Sequence, residues 1–201
     1  MKIRSFDVLA PFYDVFMSVF RRRIPWKIMS FIRSRNMNVV LDAGGGTGYN
    51  SARIKRMCRR VVVLDISFEM LRHAKKYSNL DLVQGDARML PFKNGCFDAI
   101  LAVDCIHHIG DYTGVLKEAK RTGKDTLFVA EFFGRTPAGR LFTGLEQFFM
   151  PVVYKSPEDF CAEAARQGIP GRYKYISGFE YFFKGNMCPD PLSNRTLPPG
   201  Q

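Results

Sequence analysis

The sequence has no apolar run as long as the roughly 18 residues that a membrane-spanning helix needs. It has no internal repeat and no Gly/Ser-rich linker, which excludes a repeat array and flexibly joined domains. Charges interrupt the apolar stretch at the N-terminus, so we expect no secretory signal there. With 201 residues, 46% hydrophobic and 24% charged, the sequence predicts one ordinary globular domain.

The cysteines exclude two further kinds of site. There are five, an odd number, and no two of them form a C-x-x-C pair. This argues against a zinc site and against a disulfide framework, and we expect no bound metal. Free thiols fit a reducing compartment, so a cytoplasmic location is expected.

Positive charge is concentrated in the first third of the chain. Residues 1–60 contain 13 Lys or Arg and three acids, and the whole chain has a net charge of +11. Such asymmetry indicates an anionic partner, either RNA or a membrane surface, although a solubilising surface explains it equally well. No aromatic residue interleaves the basic cluster at 53–60, which slightly favours a membrane or no partner over RNA.

Apolar runs and helical patterns alternate through the middle of the chain. Because strands that alternate with helices are joined by crossovers, this order predicts an α/β fold with a parallel sheet. The segment from 80 to 104 has no convincing helix. The predicted strands are 38–42, 61–65, 80–83, 97–103 and 126–132, and the predicted helices between them are 48–59, 67–77 and 111–121.

The two ends of the chain have other patterns. Residues 5–37 are expected to be helical, with one helix that begins near Pro11 and is closed by the arginines at 21–23. Helices are expected at 137–149 and from Ser156 to about 167, followed by a hairpin over 172–183.

Glycines follow the first predicted strand in a pattern that suits a cofactor. An acid, Asp42, precedes Gly44, Gly46 and Gly48, and the run opens a predicted helix. A glycine turn at a strand end lets a ligand approach the backbone closely. The G-x-G-x-x-G register of a dinucleotide site fails here. An acid before the glycines is wrong for a phosphate and right for a cofactor that carries an ammonium group.

Two more acids end strands. Asp65 closes the second predicted strand, and Asp86 follows the third. A carboxylate accepts two hydrogen bonds in a fork, and as a charged acceptor it makes the stronger kind. Any one acid after a strand could be a turn residue or a helix cap. Acids at 42, 65 and 86 together are a more specific signal than the glycines alone.

These residues together resemble the class I S-adenosylmethionine-dependent methyltransferases, in the group that includes ubiquinone and menaquinone biosynthesis methyltransferases. The resemblance covers roughly residues 5–132 and is weak beyond them. It implies an α/β, doubly wound, Rossmann-like sheet of seven mostly parallel strands with a C-terminal antiparallel hairpin. It also implies an enzyme with S-adenosylmethionine as cofactor.

The resemblance assigns the first cofactor-binding residues to the methionine half of the cofactor. Asp42, Gly44, Gly46 and Gly48 match the first motif of the family, which faces the methionine part. Asp104, at the end of the fourth predicted strand, is expected beside the same end of the cofactor.

The other matched residues belong to the adenosine half. Asp65 matches the carboxylate that takes the ribose hydroxyls, and Ile66 matches the apolar residue that packs on adenine. Asp86 is expected to accept the exocyclic amine of adenine, while the Ala87 amide donates to a ring nitrogen.

Catalytic candidates are fewer and less specific. His107 and His108 match a His pair near the transferring methyl, where either could position a substrate or take its proton. An ordinary loop histidine bonded to backbone or water is the alternative. Tyr13 resembles a Tyr in an N-terminal helix that closes over the cofactor, or else belongs to a helix that is packed on the core.

One domain is expected to carry four segments. They are an N-terminal helical cap (1–37), a cofactor-binding core (38–132), substrate-side helices and hairpin (133–184) and an irregular tail (185–201). The region after 131 is short for the family, which leaves the acceptor open. The expected acceptor is a small apolar or aromatic molecule. The alternatives are an RNA methyltransferase and a non-catalytic S-adenosylmethionine-binding protein, and the sequence leaves the oligomeric state undetermined.

Overall fold

The computed structural model describes residues 26–134, 136–149, 152–177 and 180–188. Within them, a seven-stranded sheet has the order β3-β2-β1-β4-β5-β7-β6. The strands are β1 (Val39–Ala43), β2 (Arg60–Asp65), β3 (Asp81–Gln84), β4 (Phe97–Val103), β5 (Gly123–Phe132), β6 (Gly171–Ser177) and β7 (Glu180–Asn186). The helices are α1 (Trp26–Ser34), α2 (Tyr49–Ile54), α3 (Phe68–Ala74), α4 (Tyr112–Thr122), α5 (Pro137–Phe149) and α6 (Pro157–Arg166), with a 3-10 turn at Ile106–His108.

The first five strands are parallel, and the last two are antiparallel. β1 pairs in parallel with both β2 and β4, and β5 pairs antiparallel with β7. β1, β2 and β4 are nearly continuous apolar runs because packed side chains cover both of their faces. Leu41 belongs to the core on one face and Val40 to the core on the other. The predicted α/β fold, with its C-terminal hairpin, is confirmed.

The order in which successive strands are added to the sheet reverses at β1. β2 and β3 lie on one side of β1, whereas β4 and β5 lie on the other. The loops that leave β1 and β4 therefore separate at their carboxyl ends and open a crevice there. Ligands of open α/β sheets bind in this kind of crevice.

Serine side chains cap the start of two helices. Ser67 accepts a hydrogen bond from the Met70 N–H at 3.1 Å, which caps α3. Ser156 accepts one from the Asp159 N–H at 3.0 Å, so the predicted start of α6 is confirmed. Among the described residues, no helix is long and apolar enough to cross a membrane.

Several boundaries differ from those predicted. The helix expected over 48–59 ends at Ile54, because tighter turns follow: the Met57 N–H donates to the Ile54 carbonyl at 2.7 Å. β5 begins at Gly123, directly after α4 and with no loop between them. β7 runs to Asn186, so the tail expected from 185 begins later.

Parts of the expected N-terminal cap and tail fall outside the described residues. The helix predicted from Pro11 to the arginines at 21–23 and the candidate Tyr13 lie there, as do residues 189–201. Of the expected cap, α1 is described. It packs on the sheet through Phe31, whose ring meets that of Phe128 edge to face at 5.4 Å.

Candidate functional site

A cavity of about 210 Å³ lies at the carboxyl ends of β1, β2 and β4. Its walls include Gly44 and Gly46 after β1, and Asp65 and Ile66 at the end of β2. The chain after β3 and β4 forms the remaining walls. Three predicted residues, Asp86, Ala87 and Asp104, lie there. Strand ends and the family resemblance together therefore predicted these residues of the wall.

The glycine turn needs left-handed backbone at the cavity. Gly44 has a φ of +74° and Gly46 a φ of +55°, a region that other residues rarely adopt. A Cβ at residue 44 would also lie 2.5 Å from the Cβ of Cys105, which leaves no room for a side chain. The turn therefore presents backbone, not side chains, to the cavity.

Asp65 connects the glycine turn to the next strand. One oxygen of its carboxylate accepts the Gly46 N–H at 2.9 Å, and the other accepts the Ser67 N–H at 2.9 Å. The same side chain lines the cavity. The carboxylate therefore fixes the shape of the turn and presents negative charge to the site.

Asp42 is located behind the turn rather than on its surface. It is 1% exposed, and the Ser51 hydroxyl donates to its carboxylate at 2.5 Å. Burial raises the pKa of Asp42 to about 6, although the Ser51 bond lowers it. Among the described residues, the cavity wall includes neither Asp42 nor Gly48. Gly48 is the N-cap of α2, and a role of these two residues in cofactor binding stays a prediction.

Asp86 lies on the wall in a forked ion pair with Arg88. The guanidinium donates to both carboxylate oxygens, with an Nη2–Oδ2 distance of 2.5 Å and an Nε–Oδ1 distance of 3.0 Å. This bond holds the pKa of Asp86 below its usual value. Arg88 also lines the cavity, and the sequence analysis did not identify it. Its position two residues after the acid was the available signal.

Asp104 adopts a rare backbone conformation at the end of β4. Its φ is +53°, and its N–H donates to the Ala130 carbonyl at 2.9 Å. Non-glycine residues seldom have a positive φ, and strained positions of this kind cluster at functional sites. The chain changes direction at Asp104, and Asp104 and His108, which follow β4, both contribute to the cavity wall.

The two adjacent histidines have different environments. His108 lines the cavity. His107 is 4% exposed and forms a buried ion pair with Glu131, with its Nδ1 on the carboxylate. Among the described residues that line the cavity, His107 is not found, and its catalytic role stays a prediction. Both residues belong to the 3-10 turn at residues 106–108.

Glu131 is a buried acid that sequence reasoning missed. It is 3% exposed at the end of β5, and its Oε1 accepts the N–H groups of Cys105 and Ile106 at 2.9 and 2.8 Å. Burial alone would raise the pKa of Glu131, but the His107 ring and these backbone donors lower it below its usual value. The available signal was a lone acid inside the apolar run 127–133.

No cluster in the described part of the chain has three or more His, Cys, Asp or Glu side chains arranged to hold a metal ion. The cavity instead combines exposed backbone with carboxylates at three strand ends. Such a wall can accept hydrogen bonds from hydroxyl and amino groups of a polar ligand.

Comparison with known proteins identifies the relatives of this chain. A family described as a methyltransferase domain matches residues 41–126, from β1 into β5. A demethylmenaquinone methyltransferase of Tropheryma whipplei (strain Twist) is 39% identical over 101 residues, covering 46% of this chain and 41% of that protein. One of Thermotoga maritima is 31% identical over 151 residues, covering 71% of this chain and 65% of that protein.

A solved structure supports the same fold. It is an S-adenosylmethionine-dependent methyltransferase of Thermotoga maritima, described as a possible histamine N-methyltransferase. Its TM-score is 0.76 at 20% identity, with 93% of this chain and 100% of that chain covered. The matches to the two curated relatives span 41% and 65% of their length. In its seven-stranded sheet the chain has the fold of the class I S-adenosylmethionine-dependent methyltransferases, and the family and curated relatives that it matches are methyltransferases, among them those of the menaquinone group.

Proposed function

We propose that the protein binds S-adenosylmethionine in the cavity and transfers its methyl group to a small apolar or aromatic acceptor. One observation carries this proposal: the left-handed glycine turn and the carboxylates of Asp65 and Asp86 meet on the wall of one cavity. The cofactor needs an open backbone surface, acceptors for ribose hydroxyls and an acceptor for the adenine amine. The residues present fit all three needs.

We assign the adenosine half of the cofactor to the loops after β2 and β3. Asp65 accepts the two ribose hydroxyls in a fork, while its backbone bonds keep the carboxylate fixed. Ile66 packs on adenine. Asp86 accepts the exocyclic amine, and the Ala87 N–H donates to a ring nitrogen.

The methionine half then lies between the glycine turn and Asp104. The buried Asp42 carboxylate lies directly behind Gly45, where an added Cβ would be 2.9 Å from its Oδ2. When ionised there, it favours a cation on the other side of the turn, since charges interact strongly where water is excluded. The ammonium group of the cofactor meets this requirement without direct contact.

The protein does not have to activate the methyl group itself. S-adenosylmethionine supplies a methyl group already activated on a sulfonium. The chain therefore has to align the acceptor with it and exclude water. His108, which lines the cavity as Asp104 does, is the side chain that we assign to orient the acceptor or take its proton.

The relatives' names favour a quinone-type acceptor. Both curated relatives described above are named demethylmenaquinone methyltransferases. We infer that the acceptor of this chain is a similar reduced aromatic ring.

The basic cluster gives RNA less support as a substrate, because two of its members have local partners. Arg60 pairs with Asp81 at 2.6 Å, and Arg53 lies 5.9 Å from the Tyr49 ring. We also infer a single domain, since one sheet runs through the described residues.

Titration calorimetry tests the cofactor. We expect a 1:1 complex with S-adenosylmethionine and with its demethylated product, and no heat with NAD. The Asp65→Ala variant should bind more weakly, whereas Asp81→Ala, an acid that pairs with Arg60 away from the cavity, should not change the affinity. No heat with either form of the cofactor would refute the proposal.

Transfer of a labelled methyl group tests the acceptor. We expect label in a short-chain reduced demethylmenaquinone and none in total RNA. Label in RNA alone would replace the small acceptor with an RNA substrate. Cofactor binding without transfer to either would support a non-catalytic binding protein.

A further inference from the structure

Three donors from one short turn converge on the carboxylate of Glu131. The turn, residues 105–108, follows β4 and is called here the histidine turn. Its Cys105 and Ile106 N–H groups donate to Oε1 at 2.9 and 2.8 Å, and His107 Nδ1 bonds to Oε2. Glu131 itself lies on the neighbouring strand β5, where it pairs with Tyr181 of β7. One side chain of the rigid sheet therefore holds both the backbone and a ring of the turn.

This contact fixes the orientation of the His107 ring. A carboxylate without a proton only accepts hydrogen bonds, so Nδ1 of His107 must carry the proton. With that ring directed at β5, the next residue, His108, faces the cavity. The two rings lie 4.0 Å apart at 48°. A rotation of either ring would therefore disturb the other.

Val153 and Tyr154 also contact the histidine turn. The Val153 N–H donates to the His107 carbonyl at 2.7 Å, and the Tyr154 ring stacks on His107 at 5.3 Å. These residues belong to the segment between α5 and α6. His107, the residue directly before His108, is thus in contact with both β5 and that segment.

A buried ion pair is energetically costly because both charged groups lose their hydration. Well-packed apolar side chains often stabilise a protein as well as a buried pair or better, while removal of one partner is strongly destabilising. Packing alone therefore gives no reason for Glu131. Glu131 can instead serve to position a neighbouring functional group, and that group is His108.

We propose that Glu131 is a positioning residue, which holds the histidine turn so that His108 is fixed on the cavity wall for methyl transfer. This inference rests on the proposed function, since His108 matters only if acceptor chemistry occurs in the cavity. It adds that the residue acts through His108 and not by contact with cofactor.

A double-mutant cycle on the full chain tests the coupling. Glu131→Gln keeps the shape and removes the charge, and His108→Ala removes the side chain that it positions. We expect Glu131→Gln to lower kcat at least tenfold in the wild-type background and less than twofold when His108→Ala is already present. The dissociation constant for the demethylated cofactor should change less than threefold. Glu163→Gln, which removes the charge of an acid paired with Arg166 on α6, is the matched control and should leave kcat unchanged.

Imidazole spectra of protein labelled with nitrogen-15 in histidine give a readout that needs no acceptor. The chain has three histidines, so each ring can be assigned. In Glu131→Gln, and in Glu131→Asp if the first variant does not fold, we expect the ring signals of both His107 and His108 to move, while those of His73 stay. Unmoved His108 signals, or an equal loss of kcat in both backgrounds, would overturn the proposal. Failure of cofactor binding in the wild type would instead refute the proposed function.

Discussion

The carboxylate of Asp86 and the guanidinium of Arg88 form a fork on the wall of the cavity, with distances of 2.5 to 3.1 Å. The Arg88 N–H donates to the same carboxylate at 2.9 Å. The acid that we assign to adenine is therefore oriented by its own loop. Both side chains remain partly exposed, at 43% for Arg88 and 28% for Asp86. Solvent thus screens the pair, and its own contribution to stability is small.

Removal of Asp86 should weaken cofactor binding more than removal of Arg88. We expect Asp86→Ala to weaken binding by about 1.5–3 kcal/mol, the usual worth of a hydrogen bond to a charged group. This is roughly one to two decades in affinity. Arg88→Ala should change it by less than about 1 kcal/mol, because an exposed pair contributes little. Titration calorimetry measures both, and a larger loss in Arg88→Ala would place the recognition on the cation.

Asp65 should affect both stability and binding. Its carboxylate accepts the Gly46 and Ser67 N–H groups, so Asp65→Ala removes two charged hydrogen bonds from the fold. We expect a loss of about 1.5–3 kcal/mol in the free energy of unfolding and a similar loss in cofactor binding. Urea titration and calorimetry check the two values. An unchanged dissociation constant would mean that the ribose lies elsewhere.

Sequence reasoning found the parts of the fold that have local signals. The apolar run of β4 and the helix α5 have the predicted bounds, since periodicity and strand composition determine both. The end of α2 was missed because the basic residues after Ile54 continue a helical pattern in tighter turns. Propensity does not distinguish these two backbones.

The site was predictable where it depends on strand ends, and not where it depends on contacts distant in sequence. Asp65 ends one strand and Asp86 follows another, so their place on the cavity wall could be inferred. The pairing of His107 with Glu131 joins residues 24 positions apart on separate elements. Nothing local in the sequence indicates which of two adjacent histidines faces inward.

The glycine turn should not tolerate a side chain at Gly44. The left-handed backbone alone costs about 1–2 kcal/mol for any L residue, and overlap with Cys105 adds about 1–3 kcal/mol. We expect Gly44→Ala to lower the free energy of unfolding by at least about 2 kcal/mol in urea titration. Gly144→Ala is the control. It is exposed in α5 with nothing within 4 Å of an added Cβ, and it should stabilise by about 0.5–1 kcal/mol. Equal effects of the two changes would contradict the tight turn.

The stability that Asp42 contributes should decrease as pH rises from mild acid to neutral. Burial raises its pKa from 3.8 to about 6 in the folded protein, so the folded state binds the proton more tightly than the unfolded state. Stability from this group is therefore complete below the unfolded pKa and is lost as pH rises through the folded one. We expect about 2 kcal/mol of this contribution to disappear between about pH 4.5 and pH 7.

Comparison with Asp42→Asn isolates this effect from other titrating groups. Glu131 has a lowered pKa and acts in the opposite direction, since its contribution is present above its ordinary pKa and is lost in acid. Both proteins retain Glu131, so its contribution cancels in the difference between their free energies of unfolding. The free energy of unfolding of the wild type minus that of Asp42→Asn, measured by urea titration at each pH, should decrease as pH rises from about 4.5 to 7. A difference that stays constant over this range would show that Asp42 keeps an ordinary pKa, and the buried carboxylate behind the turn would then be ionised at every pH tested.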